Sequence, residues 1–218
     1  MHTGIGPYYG YSYIYIRSSH RFQGHCLQWG LNGFAVIRHM ADDANVLGAN
    51  RPPKLSLIVS NISKKNNIKT LLVNAACFGA VEVMVVGQPK LDLEELCSLA
   101  FGAAGVPPSM QIKRFSTLEE CRRHVLESGG CICGIEILSS AREVTRHPFR
   151  GDTALLLGNE GTGLSSSQLR ACDHFVYIAQ HGGGTASLNV SVAAAIAMHH
   201  FALFRQKAAH PSSSISLT

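Results

Sequence analysis

The chain has 218 residues, 46% of them hydrophobic, 15% charged and 7% aromatic, with a formal charge of +5 at pH 7. That length is ample for one full-sized core, and the low charge excludes disorder throughout. No run of about 18 uncharged apolar residues occurs, so a membrane-spanning helix is not expected. Seven cysteines (26, 77, 97, 121, 131, 133, 172) are odd in number and scattered, which argues against a secreted disulfide framework and for a reducing compartment. Cys131-x-Cys133 has the wrong spacing for structural zinc, so no metal is expected. The positive charge mildly favours an anionic partner such as nucleic acid.

Residues 1–50 are unlike the rest. They hold five of the six tyrosines and seven of the 21 glycines, with Arg17, Arg21 and Arg38 against Asp42 and Asp43. Residues 51–218 carry 16 basic and 12 acidic groups, hence +4 of the total. Two readings of the first 50 stand: an untethered extension, which is preferred, and an organellar transit peptide. The expected compartment is cytoplasmic under the first and organellar under the second. Tyr13–Ile16 has the composition of a short strand, and Arg51-Pro52-Pro53 breaks the chain after it.

From residue 54 strand and helix patterns alternate. Leu55–Val59 predicts a buried strand, Asn67–Phe78 a helix stopped by Gly79, and Val81–Val86 a strand closed by Gly87-Gln88-Pro89. Leu91–Phe101 predicts a helix, Gly102–Ser109 a loop and Gln111–Phe115 a strand. Ser116 is expected to cap a helix from Thr117 to about Ser128, with Glu119 and Glu120 in its first turn. Cys131–Ile137, Thr153–Leu157 and Phe175–Ile178 predict strands, Ser165–Arg170 a short helix and Ser187–Gln206 a long one. The tail from Ala208 reads as unstructured. The expected fold class is α/β, a mostly parallel sheet flanked by helices. The domain reading is an atypical extension over 1–50, one domain over 51–207 and a tail over 208–218.

Three Gly/Asn-rich segments fall at strand ends, where open α/β sheets place their ligands. They are Asn61–Asn67 (Asn-Ile-Ser-Lys-Lys-Asn-Asn), Leu157–Leu164 (Leu-Gly-Asn-Glu-Gly-Thr-Gly-Leu) and Gly182–Asn189 (Gly-Gly-Gly-Thr-Ala-Ser-Leu-Asn). None is a P-loop, and Gly161-x-Gly163 lacks the third glycine and the later acid of a dinucleotide fingerprint. That argues against a nucleotide-dependent oxidoreductase. Spacing alone indicates a ligand site between three loops.

Read individually, these residues leave alternatives open. Asn67 either orients a catalytic group or caps the following helix. Glu160 either organises its glycine-rich loop or is a surface acid. Ser187 and Asn189 cap the last helix, face a ligand, or both. His181 is a candidate base or a solvent-exposed loop residue. His199-His200 is expected in packing or a dimer contact, and Cys77 and Cys172 as small buried apolar residues.

Together, Leu155–Leu164, Ser187-Leu-Asn-Val-Ser191 and the Asn-containing first segment resemble the SpoU/TrmH class of SPOUT RNA methyltransferases over roughly residues 54–206. Asn61–Asn67, Phe78-Gly79 and His199-His200-Phe201 are most similar to stand-alone plant-type members. The resemblance implies a C-terminal trefoil knot, a homodimer, and S-adenosylmethionine as cofactor. The implied acceptor is a ribose 2′-hydroxyl of tRNA or rRNA. Backbone groups near Gly158, Ile178 and Leu188 would hold the adenosine part. Asn67, Glu160, Ser187 and Asn189 match positions that form or support the active site. Lys64, Lys65 and Lys69 are the expected contacts to RNA phosphate.

Three positions depart from the family pattern, one of them at a key residue. Six residues before Gly79, where the family places its key arginine, this chain has Val73. The family glycine two residues after Asn67 is Lys69, and a proline common after the last strand is Ala179. Valine can neither donate hydrogen bonds nor stabilise an alkoxide. Two readings follow: an active RNA 2′-O-methyltransferase, and a catalytically impaired relative that binds RNA or S-adenosylmethionine.

Overall fold

The computed structural model describes residues 51–182 and 187–209. After the extended Arg51–Lys54 lead, β1 (Leu55–Ser60) places Leu55, Leu57, Ile58 and Val59 wholly out of solvent. Burial on both faces is why this strand is a continuous apolar run without alternation. Next come α1 (Lys65–Cys77), β2 (Glu82–Val86), α2 (Leu93–Phe101), β3 (Gln111–Phe115), α3 (Leu118–Glu127) and β4 (Cys131–Ile135). The two-residue β5 (Arg142–Glu143), β6 (Thr153–Leu157), α4 (Ser166–Ala171), β7 (His174–Tyr177) and α5 (Val190–Ala209) complete the described chain.

The seven strands form one parallel sheet in the order β3-β2-β1-β6-β4-β7-β5. The C-terminal strands are laid down out of order. β6 inserts between β1 and β4, and β7 then takes the far side of β4. One face buries Leu57, Leu71, Leu72, Leu96, Ala194 and Phe201, joining the sheet to α1, α2 and α5. The other buries Ile58, Met84, Cys121, Ile132 and Leu156 beneath α3 and α4. Each large apolar side chain so removed from water contributes about 1.5–3 kcal/mol. The α/β reading therefore holds, with helices on both faces.

Element ends shift where caps decide them. Thr117, not Ser116, caps α3: its hydroxyl accepts from the Glu120 amide at 3.2 Å. Glu120 returns the bond to the Thr117 and Ser116 amides, a reciprocal arrangement that needs the acid three residues after the cap. Asp92 accepts from the Glu95 amide at 3.0 Å, so α2 starts at Leu93 and not at Leu91. The segment Cys131–Ile137 is strand only to Ile135. β7 runs His174–Tyr177, one residue earlier than expected. α5 starts at Val190, and its last turn includes Ala208 and Ala209, which the composition had placed in an unstructured tail. The short strand expected at Tyr13–Ile16 lies outside the described residues.

The α5 histidines make ring contacts within the chain. His199 lies edge-on to Phe78, with ring centroids 6.0 Å apart. His200 Nδ1 is 3.1 Å from Nε2 of His147, a residue in the left-handed region at φ 49°. Cys77, expected to be buried, is exposed at the last turn of α1, because the core face of that helix runs through Ile68, Leu71, Leu72 and Ala75. Cys172 is partly buried, and burial pushes its thiol up to about 12. Among the described residues, no helix is long and apolar enough to cross a membrane, and no three side chains group to hold a metal ion.

Candidate active site and cofactor cleft

Parallel strands end together, so the loops after β1, β4, β6 and β7 gather at one edge of the sheet. Two amides join the first two motif segments there. Asn159 Nδ2 donates to the Asn61 carbonyl at 3.0 Å, and the buried Gln168 amide reaches the Ser60 and Leu157 carbonyls at 3.3 and 3.4 Å. The β1 and β6 exits are thereby fixed relative to each other.

Asn67 is not a helix cap. Lys64 occupies that position, its carbonyl accepting from the Asn67 and Ile68 amides, so Asn67 lies inside the first turn of α1. Its side chain is consequently free to act elsewhere. Asn67 Nδ2 donates to Glu160 Oε1 at 2.8 Å, and Asn189 Nδ2 donates to Asn67 Oδ1 at 3.1 Å. Asn189 Oδ1 in turn accepts from the Ser191 backbone amide at 2.9 Å and its hydroxyl at 2.7 Å. Both ends of this chain have fixed polarity, since a backbone N–H only donates and a carboxylate only accepts. Each asparagine amide is therefore held one way round. Asn189 thus serves the start of α5 and the network at once; of the two roles expected for it, the helix cap is seen, its carbonyl accepting from the Val192 and Ala193 amides.

Glu160 anchors the chain. Burial pushes its carboxyl pKa up. The Asn67 amide and the backbone amides of Glu160, Lys64 and Ser63 outweigh that, holding it below the usual carboxylate range. A depressed folded-state pKa gives stability that is fully present above the unfolded value, about 4.3. That contribution is lost as pH falls through the lower folded value. Wild-type unfolding free energy, compared with that of Glu160→Gln from pH 7 to pH 2, is expected to show a constant advantage at neutral pH that shrinks below about pH 4.3. A difference independent of pH across that window would contradict the assignment.

Beside this network opens a cleft of about 460 Å³, within the size range of small-ligand sites. Gly158, Ile178 and Leu188 all line it, as does Ser187, which is exposed and outside the asparagine chain. Asn159 and Gly163 exchange backbone hydrogen bonds at 2.9 and 3.0 Å, closing a tight loop over Gly158. A Cβ at Gly158 would lie 2.5 Å from the Leu164 nitrogen and 2.7 Å from the Gly163 oxygen, both backbone. Only glycine fits there. Gly163, at φ +68°, needs glycine for its own conformation. Glu136, which the motif reading missed, also lines the cleft. Its Oε2 accepts from the Leu164 amide at 2.9 Å. A lone acid after a strand carries no motif signal, so only the fold reveals it.

The remaining predicted residues are placed less centrally. Lys64 is exposed, and its backbone amide serves Glu160. Lys65 Nζ is 2.7 Å from Glu95 Oε2, an ion pair that lowers its availability to phosphate. Lys69 and Val73 are half-buried on α1, and His181 is exposed. Gly183–Ala186 of the third segment lie outside the described residues.

The SpoU rRNA Methylase family profile matches residues 54–199. The tRNA (guanosine(18)-2′-O)-methyltransferase of Escherichia coli K12 is 27% identical over 160 residues, covering 73% of this chain and 68% of that protein. The 23S rRNA (guanosine-2′-O-)-methyltransferase RlmB of Vibrio vulnificus is 30% identical over 173 residues, covering 77% and 66%. Among solved structures, the SpoU methyltransferase AviRb of Streptomyces viridochromogenes in complex with AdoMet superposes with a TM-score of 0.61 at 24% identity, covering 72% of this chain and 60% of that one. The A. aeolicus TrmH/SpoU tRNA modifying enzyme gives 0.59 at 18% identity, covering 72% and 78%. These two structures establish the shared fold.

Proposed function

Since the chain belongs to the SpoU rRNA methylase family, we propose that it transfers the methyl group of S-adenosylmethionine to a ribose 2′-hydroxyl of tRNA or rRNA. The observation that carries this reading is the Glu160–Asn67–Asn189 chain at the edge of the cleft, joining three segments far apart in sequence. The cleft fits an adenosyl group. It has room for one, its walls include Ile135, Leu157, Ile178 and Leu188, and the loop over Gly158 brings backbone within reach of a ligand. Bound there, S-adenosylmethionine supplies a methyl group made electrophilic by its sulfonium.

The protein's part is orientation and electrostatics. Asn67 and Asn189, locked in polarity, hold the start of α1 against the start of α5, so the groups that meet the acceptor ribose are set before it arrives. Glu160 is ionised at neutral pH but committed to four neutral donors, so its role is to fix the loop, not to take the hydroxyl proton. The transfer forms the ribose O–CH₃ bond, breaks the S–CH₃ bond and releases one proton. A homodimer, the trefoil knot and a catalytic unit spanning 51–207 belong to the same reading.

Val73 favours a second reading, an impaired relative that binds without turning over. A helix turns about 100° per residue. Position 74 therefore shares the Asn67 face of α1, and Asn74 does bond to the Ser191 carbonyl at 3.1 Å. Val73 lies one step round from that face. Labelled-methyl transfer to bulk tRNA and rRNA is expected to proceed slowly in the wild type. In Val73→Arg it should rise by about tenfold or more, within the range of assisted proton removal. Measurable cofactor binding with no incorporation in either protein would overturn the enzyme reading in favour of the binding one.

A further inference from the structure

We infer that Glu136 sets the charge preference of the cleft, making it select an adenosyl ligand that carries a positive charge over its neutral counterpart. This rests on the methyl-transfer reading and deepens it. Two carboxylates, Glu136 and Glu160, line the cleft, and no Lys, Arg or His stands among the described residues that line it. Neither carboxylate forms an ion pair with another described residue. Charges taken partly out of water normally find a partner of opposite sign, and among the described residues the partners of these two are neutral dipoles. Around them stand Ile135, Leu157, Leu164 and Ile178, which lower the local dielectric and strengthen the field in the cleft.

The two acids are not equivalent. Glu160 is filled by the Asn67 amide and three backbone amides. Among the described residues, Glu136 accepts only from the Leu164 amide at 2.9 Å and the Ile137 amide at 3.1 Å. A carboxylate has about four acceptor sites, so Glu136 keeps capacity for a ligand. Its grip on Leu164 also points it at the loop over Gly158, and so into the adenosyl cleft. The consequence is directional. A sulfonium enters attracted; once the methyl group has left, the remaining thioether is neutral and that attraction is gone. Polyphosphate nucleotides are repelled throughout.

The test is calorimetric titration of the full chain with three ligands. They are S-adenosylmethionine, sinefungin (an amine in place of the sulfonium methyl) and neutral S-adenosylhomocysteine. Wild type is expected to bind both cationic ligands about tenfold more tightly than the neutral one, the scale of one charge interaction in a half-screened site. Glu136→Gln retains an acceptor for the Leu164 amide and removes the charge. It should cut that preference at least about threefold while changing S-adenosylhomocysteine affinity less than about twofold. Glu136→Asp should keep the preference even if all three affinities fall, and Asp against Asn repeats the comparison should the glutamine variant fold poorly. An equal loss for all three ligands in Glu136→Gln would show a purely structural prop and overturn the inference. A wild type without charge preference would overturn it too. A wild type that binds none of the three overturns the cofactor reading itself, a separate and recognisable outcome.

Discussion

Gly158→Ala is expected to lower cofactor affinity by about a hundredfold or more, the scale of an ångström-level misplacement in a preorganised site. The methyl group would arrive 2.5 Å from the Leu164 nitrogen and 2.7 Å from the Gly163 oxygen. Neither atom can rotate away as a side-chain tip would. The Asn159–Gly163 pair of backbone bonds and the Glu136 clasp on Leu164 resist any outward shift of that loop. The chain should still fold, with a stability loss of about 1–3 kcal/mol typical of an overpacked site. Gly161→Ala is the matched control. Its Cβ would stand 3.6 Å from Asn159 Oδ1, an ordinary contact, and its backbone needs no positive φ. Thermal unfolding together with S-adenosylmethionine titration of both variants checks this. Equal binding by the two would mean the loop is not pressed against the end of β6.

Legibility in the sequence followed from how local each determinant is. β1, β2 and β6 are buried on both faces, so their apolar runs announce them without reference to the rest of the chain. β5 has two residues, and its pairing with Val176 and Tyr177 of β7 is a tertiary event with no periodicity to read. The α3 cap falls at Thr117 and not at Ser116; both are good caps with a glutamate three residues on (Glu120 and Glu119), so local pattern does not separate them. Asn67 shows the limit most clearly. By propensity it is a cap; its actual partners lie 93 and 122 residues away, and no window on the sequence joins them. The motif resemblance supplied the members of that site, and the parallel sheet supplied the reason they meet. Glu136 had neither a motif nor a spacing, and became visible only once β4 and the β6 loop were side by side.

The Asn67–Glu160 hydrogen bond is expected to behave as one part of a single unit. Asn67→Ala removes a donor to an ionised carboxylate and leaves Asn189 Nδ2 without its acceptor. Glu160→Ala removes the acceptor for Asn67 and for the backbone amides of Ser63, Lys64 and Glu160. Hydrogen bonds to a charged group contribute about 1.5–3 kcal/mol each, so either single change should cost that order of stability at pH 7. It should also lower methyl transfer by about a hundredfold through lost orientation. The double variant should cost less than the sum of the two single changes, because once the carboxylate is gone Asn67 Nδ2 has lost its acceptor and only its bond from Asn189 remains to be removed. A coupling energy of about 1–2 kcal/mol in unfolding, with the strongly non-additive activity of groups acting as a unit, is the expected signature. Additive losses in both measurements would mean that Asn67 and Glu160 act independently. The polarity of the chain, from the Ser191 amide through both asparagines to the carboxylate, would then have no functional consequence. Repeating the cycle below the folded pKa of Glu160 should shrink the coupling, since a protonated carboxyl is a weaker acceptor for the Asn67 amide.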